Sequence, residues 1–88
     1  MTLRIRLRSA AENDVRAHAL FLQERSVDAA IHFLDAFDAS IDLLARSPGI
    51  GGICGFKKPV YDAIRVWPVA SFKSHLIFYR ILADEIEV

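Results

Sequence analysis

Apolar and polar positions alternate one for one at the two ends of the chain, and between them the period lengthens to that of a helix. Leu3, Ile5 and Leu7 alternate with Arg4, Arg6 and Arg8, the two-residue period of a half-buried strand whose arginines face water or an acidic ligand. From about Ala10 to Glu24 the period is helical: Ala11, Val15, Ala19 and Leu22 share a face, with Phe21 beside them and Asp14 and Arg16 turned outward. Ser9-Ala10-Ala11-Glu12 has capping-box spacing, so Ser9 is expected to accept from the backbone three residues on. Ser26 is the N-cap candidate of a second helix, with Asp28 in its first turn, where the helix dipole favours an anion. Its stripe is Ala30, Phe33, Leu34, Phe37, Ile41 and Leu44; it ends near Arg46, and Ser47-Pro48-Gly49 stops it. Only Glu24-Arg25-Ser26 separates the two helices, which dictates an antiparallel hairpin. Ile31 and Leu43 lie off the main stripe, so the second helix is apolar on more than one face. Packing on both a helix and a sheet accounts for that; a groove for a partner is the sharper reading.

Pro48 to Pro59 reads as a loop, with Gly49, Gly51, Gly52 and Gly55 between Ile50, Ile53 and Phe56. Alternation returns from Tyr61 to Val69, from His75 to Leu82 and from Glu85 to Val88, with a hairpin connection over Val69 to Ser74 and a tight turn at Ala83-Asp84. Ile64, Val66 and Pro68 share one face of the first of these strands, and Arg65, Trp67 and Val69 the other. In the next, Leu76, Phe78, Arg80 and Leu82 alternate with His75, Ile77, Tyr79 and Ile81. Pro68 donates no ladder hydrogen bond and belongs at a strand end or an edge. The order is β-α-α-β-β-β, an α+β fold in one domain spanning 1–88, with both helices on one face of a small, largely antiparallel sheet.

Composition sharpens this picture at three points. Hydrophobic residues make up 53% of an 88-residue chain and mean hydropathy is +0.28. That is more apolar surface than so small a fold hides, so a patch covered by a partner is expected. Charge is balanced, 11 Lys+Arg against 11 Asp+Glu, which argues against a module that grips nucleic acid by counterion release. Asp28, Asp35, Asp38 and Asp42 nevertheless fall on one helix, and Asp35, Asp38 and Asp42 follow helical spacing on a polar face, either as a solvated stripe or as a dock for a basic partner. No apolar run reaches the roughly 18 residues of a membrane span, and the N-terminus lacks a signal-peptide core, so a cytoplasmic protein is expected.

Candidate chemistry is sparse. Cys54 is the single cysteine, so neither an internal disulfide nor a thiol pair for redox or zinc exists. His18 and His32 sit on different helices without partners at metal-ligand spacing. The glycines of the loop match no phosphate-binding fingerprint, and Lys57-Lys58 reads as solvated. No cofactor or metal is expected. One face of the paired strands mixes aromatic with Arg or His residues, a surface suited to stacking a base or anchoring a protein, unless Trp67 and Tyr79 are core aromatics with polar tips at the rim.

Several segments, in order and spanning almost the whole chain, resemble the RelE/ParE superfamily of bacterial type II toxins. They are Ala11-x-x-Asp14, Ala30-x-x-Phe33, Ile41-x-x-Leu44, Ser47-Pro48-Gly49-Ile50-Gly51, Ile64-Arg65-Val66-Trp67-Pro68-Val69 and His75-Leu76-Ile77-Phe78-Tyr79-Arg80. The Pro-Gly-Ile-Gly and His-Leu-Ile-Phe-Tyr-Arg segments are similar to the ParE branch in particular. The resemblance implies a toxin that binds and poisons DNA gyrase and is held inactive by a ParD-like antitoxin wrapped on the helical hairpin and the sheet. Partner-facing residues on this reading are Arg4, Arg6, Ile31, Arg65, Trp67, Phe72, His75 and Arg80. The alternative, a RelE-like ribosome-dependent mRNA endonuclease, needs groups that activate a 2′-hydroxyl and protonate the leaving oxygen. Leu76 stands where that branch has a catalytic arginine, leaving Arg65, His75 and Tyr79 as substitutes, so protein binding is expected rather than catalysis. Family members usually continue past Ile86-Glu87-Val88 into a tail with a His and an Arg; the resemblance therefore also allows a short, non-toxic form that only binds antitoxin.

Overall fold

The computed structural model describes residues 2–53 and 64–88. Their order is β1 (Arg4–Arg6), α1 (Ser9–Gln23), α2 (Val27–Arg46), a 3-10 turn (Pro48–Ile50), β2 (Gly52–Ile53), β3 (Arg65–Val69), β4 (Phe72–Ile81) and β5 (Glu85–Glu87). The expected α+β layout is present, two helices and a mixed sheet. The readings placed on Cys54, Gly55, Phe56, Lys57-Lys58, Pro59 and the start of the strand at Tyr61 lie outside the described residues.

The five strands run in the order β1-β5-β4-β3-β2. Antiparallel pairing joins β2 to β3, β3 to β4 and β4 to β5, while β1 lies parallel to β5 with Ile5 opposite Ile86. The first strand thus returns beside the last across the length of the chain. The two-residue β2 corrects the reading of Pro48 to Pro59 as loop throughout: Gly52 and Ile53 pair with Val66 and Arg65. Two residues carry no readable period, so only the neighbouring strand defines them.

In β3 and β4 the register opposes Arg65 to Tyr79, Val66 to Phe78, Trp67 to Ile77 and Pro68 to Leu76. Tyr79, Ile77 and Val69 are buried with Phe33, Phe37 and Leu44 of α2, and Ile86 completes this core. Val66, Pro68, Leu76 and Phe78 are consequently on the opposite face of the sheet, with Leu76 and Phe78 exposed. The pairing shifts between Pro68 and Val69, where the hairpin closes on Val69 and Phe72 through Ala70-Ser71. Ser71 takes φ +66° there, a left-handed conformation that an L residue adopts at a cost. Pro68 sits at this irregularity, near the strand end, as its missing N–H requires.

The second helix follows its stripe closely. Ala30, Phe33, Phe37 and Leu44 are buried, with Ser40 and Ala45, and Ser26 caps it by accepting from Ala29 N at 3.2 Å. Ser40 is satisfied twice: its Oγ donates to Ala36 O at 2.8 Å and accepts from Ala70 N at 3.3 Å, tying α2 to the β3–β4 turn. The first helix has no fully buried residue; Val15, Ala19 and Leu22 rest half-buried on the core. Its start corrects the capping-box reading. Ser9 is already helical, and the N-cap is Arg8, with no side-chain capping bond. The cause is long-range: Arg8 N donates to Val88 O at 3.0 Å and Val88 N to Arg6 O at 2.9 Å, extending the β1–β5 pairing to the helix start. Glu12 N donates to Arg8 O instead.

Candidate functional site

Several polar residues of the sheet are engaged within the fold. Tyr79 is 1% exposed, and its hydroxyl donates to Pro48 O at 2.7 Å while accepting from Gly51 N at 3.0 Å. A Cβ placed on Gly51 would meet the Tyr79 hydroxyl and two ring carbons, the latter at 2.8 and 2.9 Å. Only glycine therefore lets the turn after α2 seat on the ring. Arg65, opposite Tyr79 in the ladder, donates from Nη1 to Gly51 O at 2.8 Å and Gly49 O at 3.4 Å. Both side chains thus hold residues 48–51 against the sheet. His75 lies on the same face four residues before Tyr79, roughly 13 Å along the strand. These three candidates do not converge on one reacting atom.

His75 belongs to an aromatic seam between α1, α2 and β4. Its ring centroid is 5.0 Å from those of His18 and Phe33, and Phe33 also meets Phe72 edge-on at 5.3 Å. Burial holds the His75 pKa below its ordinary value, the neighbouring His18 adds to this, and Asp14 opposes it. Trp67 is half-buried against the core.

The outer face of the sheet carries an ion chain across β4, β5 and β1. Arg80 Nε meets Glu87 at 2.8 Å, Arg6 Nη2 meets the other oxygen of Glu87 at 2.5 Å, Arg6 Nε meets Glu85 at 3.0 Å, and Arg4 meets Asp84 at 3.3 Å. The alternating arginines of β1 therefore face acids of this same chain. The Glu87 pKa is lowered, chiefly by the hydrogen bond from Arg80 and further by the charges of Arg80, Arg6 and Arg8, which together outweigh burial.

The hairpin behaves differently. Between α1 and α2, on the side away from the sheet, a groove of about 640 Å³ is lined by Val15, Ala19, Leu20, Val27, Ala30, Ile31 and Leu34, among others. Val27 is 58% exposed, Leu20 56% and Ile31 52%, far more than a monomer's core requires. Phe21 and Leu43 are exposed as well, with the Arg25 guanidinium 4.7 Å over the Phe21 ring. A second apolar patch lies on the outer face of the sheet at Leu76 and Phe78, beside half-buried Val66 and Pro68.

The sequence-level candidates thus divide among several places. Ile31 is in the groove; Arg4, Arg6 and Arg80 are in the ion chain; Arg65, Trp67 and His75 are on the helix side of the sheet; Phe72 is half-buried at the start of β4. Sequence reasoning passed over Leu20 and Val27 and assigned Leu34 to the core. For Leu34 the signal was the width of the apolar surface on α2, which one core cannot cover; Leu20 and Val27, near helix ends, carried none. Among the described residues no group of three or more His, Cys, Asp or Glu is placed to hold a metal, and no helix is long and apolar enough to cross a membrane.

Residues 5–88 match the model of a protein family described as the ParE toxin of type II toxin-antitoxin system, parDE. Among curated proteins no relative matches the chain.

Proposed function

The chain belongs to the ParE toxin family of type II toxin–antitoxin systems, and from that premise we propose that it arrests growth by binding DNA gyrase in the cytoplasm. On this reading a cognate, ParD-like antitoxin neutralises it by covering the exposed groove of the helical hairpin. The observation that carries this reading is the contrast within the site: Tyr79, Arg65, Arg6 and Arg80 of the sheet are bound internally, whereas the hairpin presents unpartnered apolar surface suited to a protein. Tyr79 and Arg65, which an RNA-cleaving site would need free, hold the backbone of residues 48–51 instead.

Inducing the chain without antitoxin tests the proposal. Growth arrest with an SOS response and intact transcripts is expected. Cleaved transcripts at arrest would transfer the protein to the RelE-like reading, and unimpaired growth with tight antitoxin binding would make it a non-toxic binder.

A further inference from the structure

The groove of the hairpin has two unlike rims. The α1 rim carries Glu12 and Arg16, which sum to no charge. On α2, Asp28, Asp35 and Asp42 recur every seven residues, a spacing that returns to nearly the same side of a helix about 10.5 Å further along. Helical geometry places this row beside Ile31, on the side of the groove away from α1, and Asp28 and Asp35 line a shallow depression there with Ile31 and His32. Asp38 lies between the row and the groove and lines the groove itself. All four aspartates are exposed. Arg46 ends the row, its Nε donating to Asp42 O at 3.4 Å.

The sheet shows how this fold treats acids it uses internally. Asp84, Glu85 and Glu87 each meet an arginine. Among the described residues no such pair forms at Asp28, Asp35, Asp38 or Asp42. Four like charges along one rim raise the negative potential there and favour a cationic partner at close range.

Resting on the reading that a partner segment covers this groove, we propose that the occupant is an amphipathic helix with basic residues on one flank. Its apolar ridge lies on Leu20, Val27, Ile31 and Leu34. Its flank toward α2 carries lysine or arginine at seven-residue spacing opposite Asp28, Asp35 and Asp42. Its flank toward α1 needs no net charge, so the asymmetry of the rims fixes which way round the helix lies. The partner's own sequence is thereby constrained: a leucine-rich ridge with cations on a single side.

A displayed library of helices of about 21 residues, three heptads, with leucine fixed along one face and the other positions randomised, tests this. It is selected on the full chain and counter-selected on Ile31→Glu. Binders that depend on Ile31 are expected to be enriched in Lys or Arg on one flank. Synthesised as peptides, they should lose about tenfold in affinity against D28K/D35K/D42K, as three exposed ion pairs imply, and weaken with added salt. If the triple variant fails to fold by circular dichroism, D35K/D42K spares the first turn of α2 and is used for the same comparison. Ile31-dependent binders with no basic bias, or with affinity unmoved by the charge reversal, overturn the charge assignment and leave the groove as a dock. A selection yielding no Ile31-dependent binder removes the groove itself, and the proposal with it.

Discussion

The sheet and the hairpin handle their polar groups in opposite ways, although each leaves large apolar residues exposed. Around β3, β4 and β5 nearly every functional-looking side chain has a partner in the chain: Tyr79 and Arg65 on the backbone of residues 48–51, Arg6 and Arg80 on Glu87, His75 between His18 and Phe33. On the outer side of the hairpin, large apolar residues are half-exposed and the aspartates beside them have no ion-pair partner among the described residues. A residue type that suggests chemistry in a sequence can thus be structural, while unremarkable leucines and isoleucines form the open apolar surface. In a toxin family defined by pairing with an antitoxin, the open region is the one to expect at an interface.

Mutations on the two sides should separate accordingly. The largest effect belongs to the core under both: Phe33→Ala removes a fully buried ring that joins α1, α2 and β4, and should cost about 3–5 kcal/mol in denaturant unfolding. Next come the two halves of the tyrosine contact. Tyr79→Phe leaves Pro48 O and Gly51 N without their partner and should cost about 1–3 kcal/mol. Gly51→Ala forces a methyl against the pinned ring and should cost a similar amount, about 1–3 kcal/mol. If either is neutral, the turn after α2 is held by something other than this contact.

Acid should loosen the sheet side first. The fold favours neutral His75, so as pH falls below the ordinary 6.5 the unfolded chain binds the proton before the native one does, and stability drops. Glu87, lowered from its ordinary 4.5, adds a loss of the same sign at lower pH, when its arginines no longer face a carboxylate. Unfolding midpoints measured between about pH 7 and pH 5 should fall, and His75→Gln should flatten that slope. The smallest change is expected in the groove, where Ile31→Ser should alter stability by no more than about 0.5 kcal/mol while weakening antitoxin binding. A large loss of stability there would erase the contrast between the two regions.

Much of this was legible in the sequence because it is local. The helical stripe of α2, the cap at Ser26, the short hairpin link and the division of β3 and β4 into two faces all follow from periods and end signals. What escaped depends on residues far apart in the chain. Ser9 has a capping pattern, yet Val88 captures the backbone at Arg8 and starts the helix one residue early. The arginines of β1 have acids waiting on β5 and just before it, about eighty residues away, and the parallel β1–β5 pairing brings them together. Tyr79 looks like a candidate reactive group until the turn after α2 folds onto it. Of the groove, Ile31 stood out by lying off the stripe, but Leu20 and Val27 lie near helix ends, where no periodic argument separates a docking residue from a core one.

If the chain acts as proposed, by binding DNA gyrase, it must change supercoiling by purified gyrase when the purified chain is added. Inhibition that rises with the chain's concentration, and is relieved by antitoxin, is the predicted result. Supercoiling that proceeds unchanged with the folded chain in excess would contradict it.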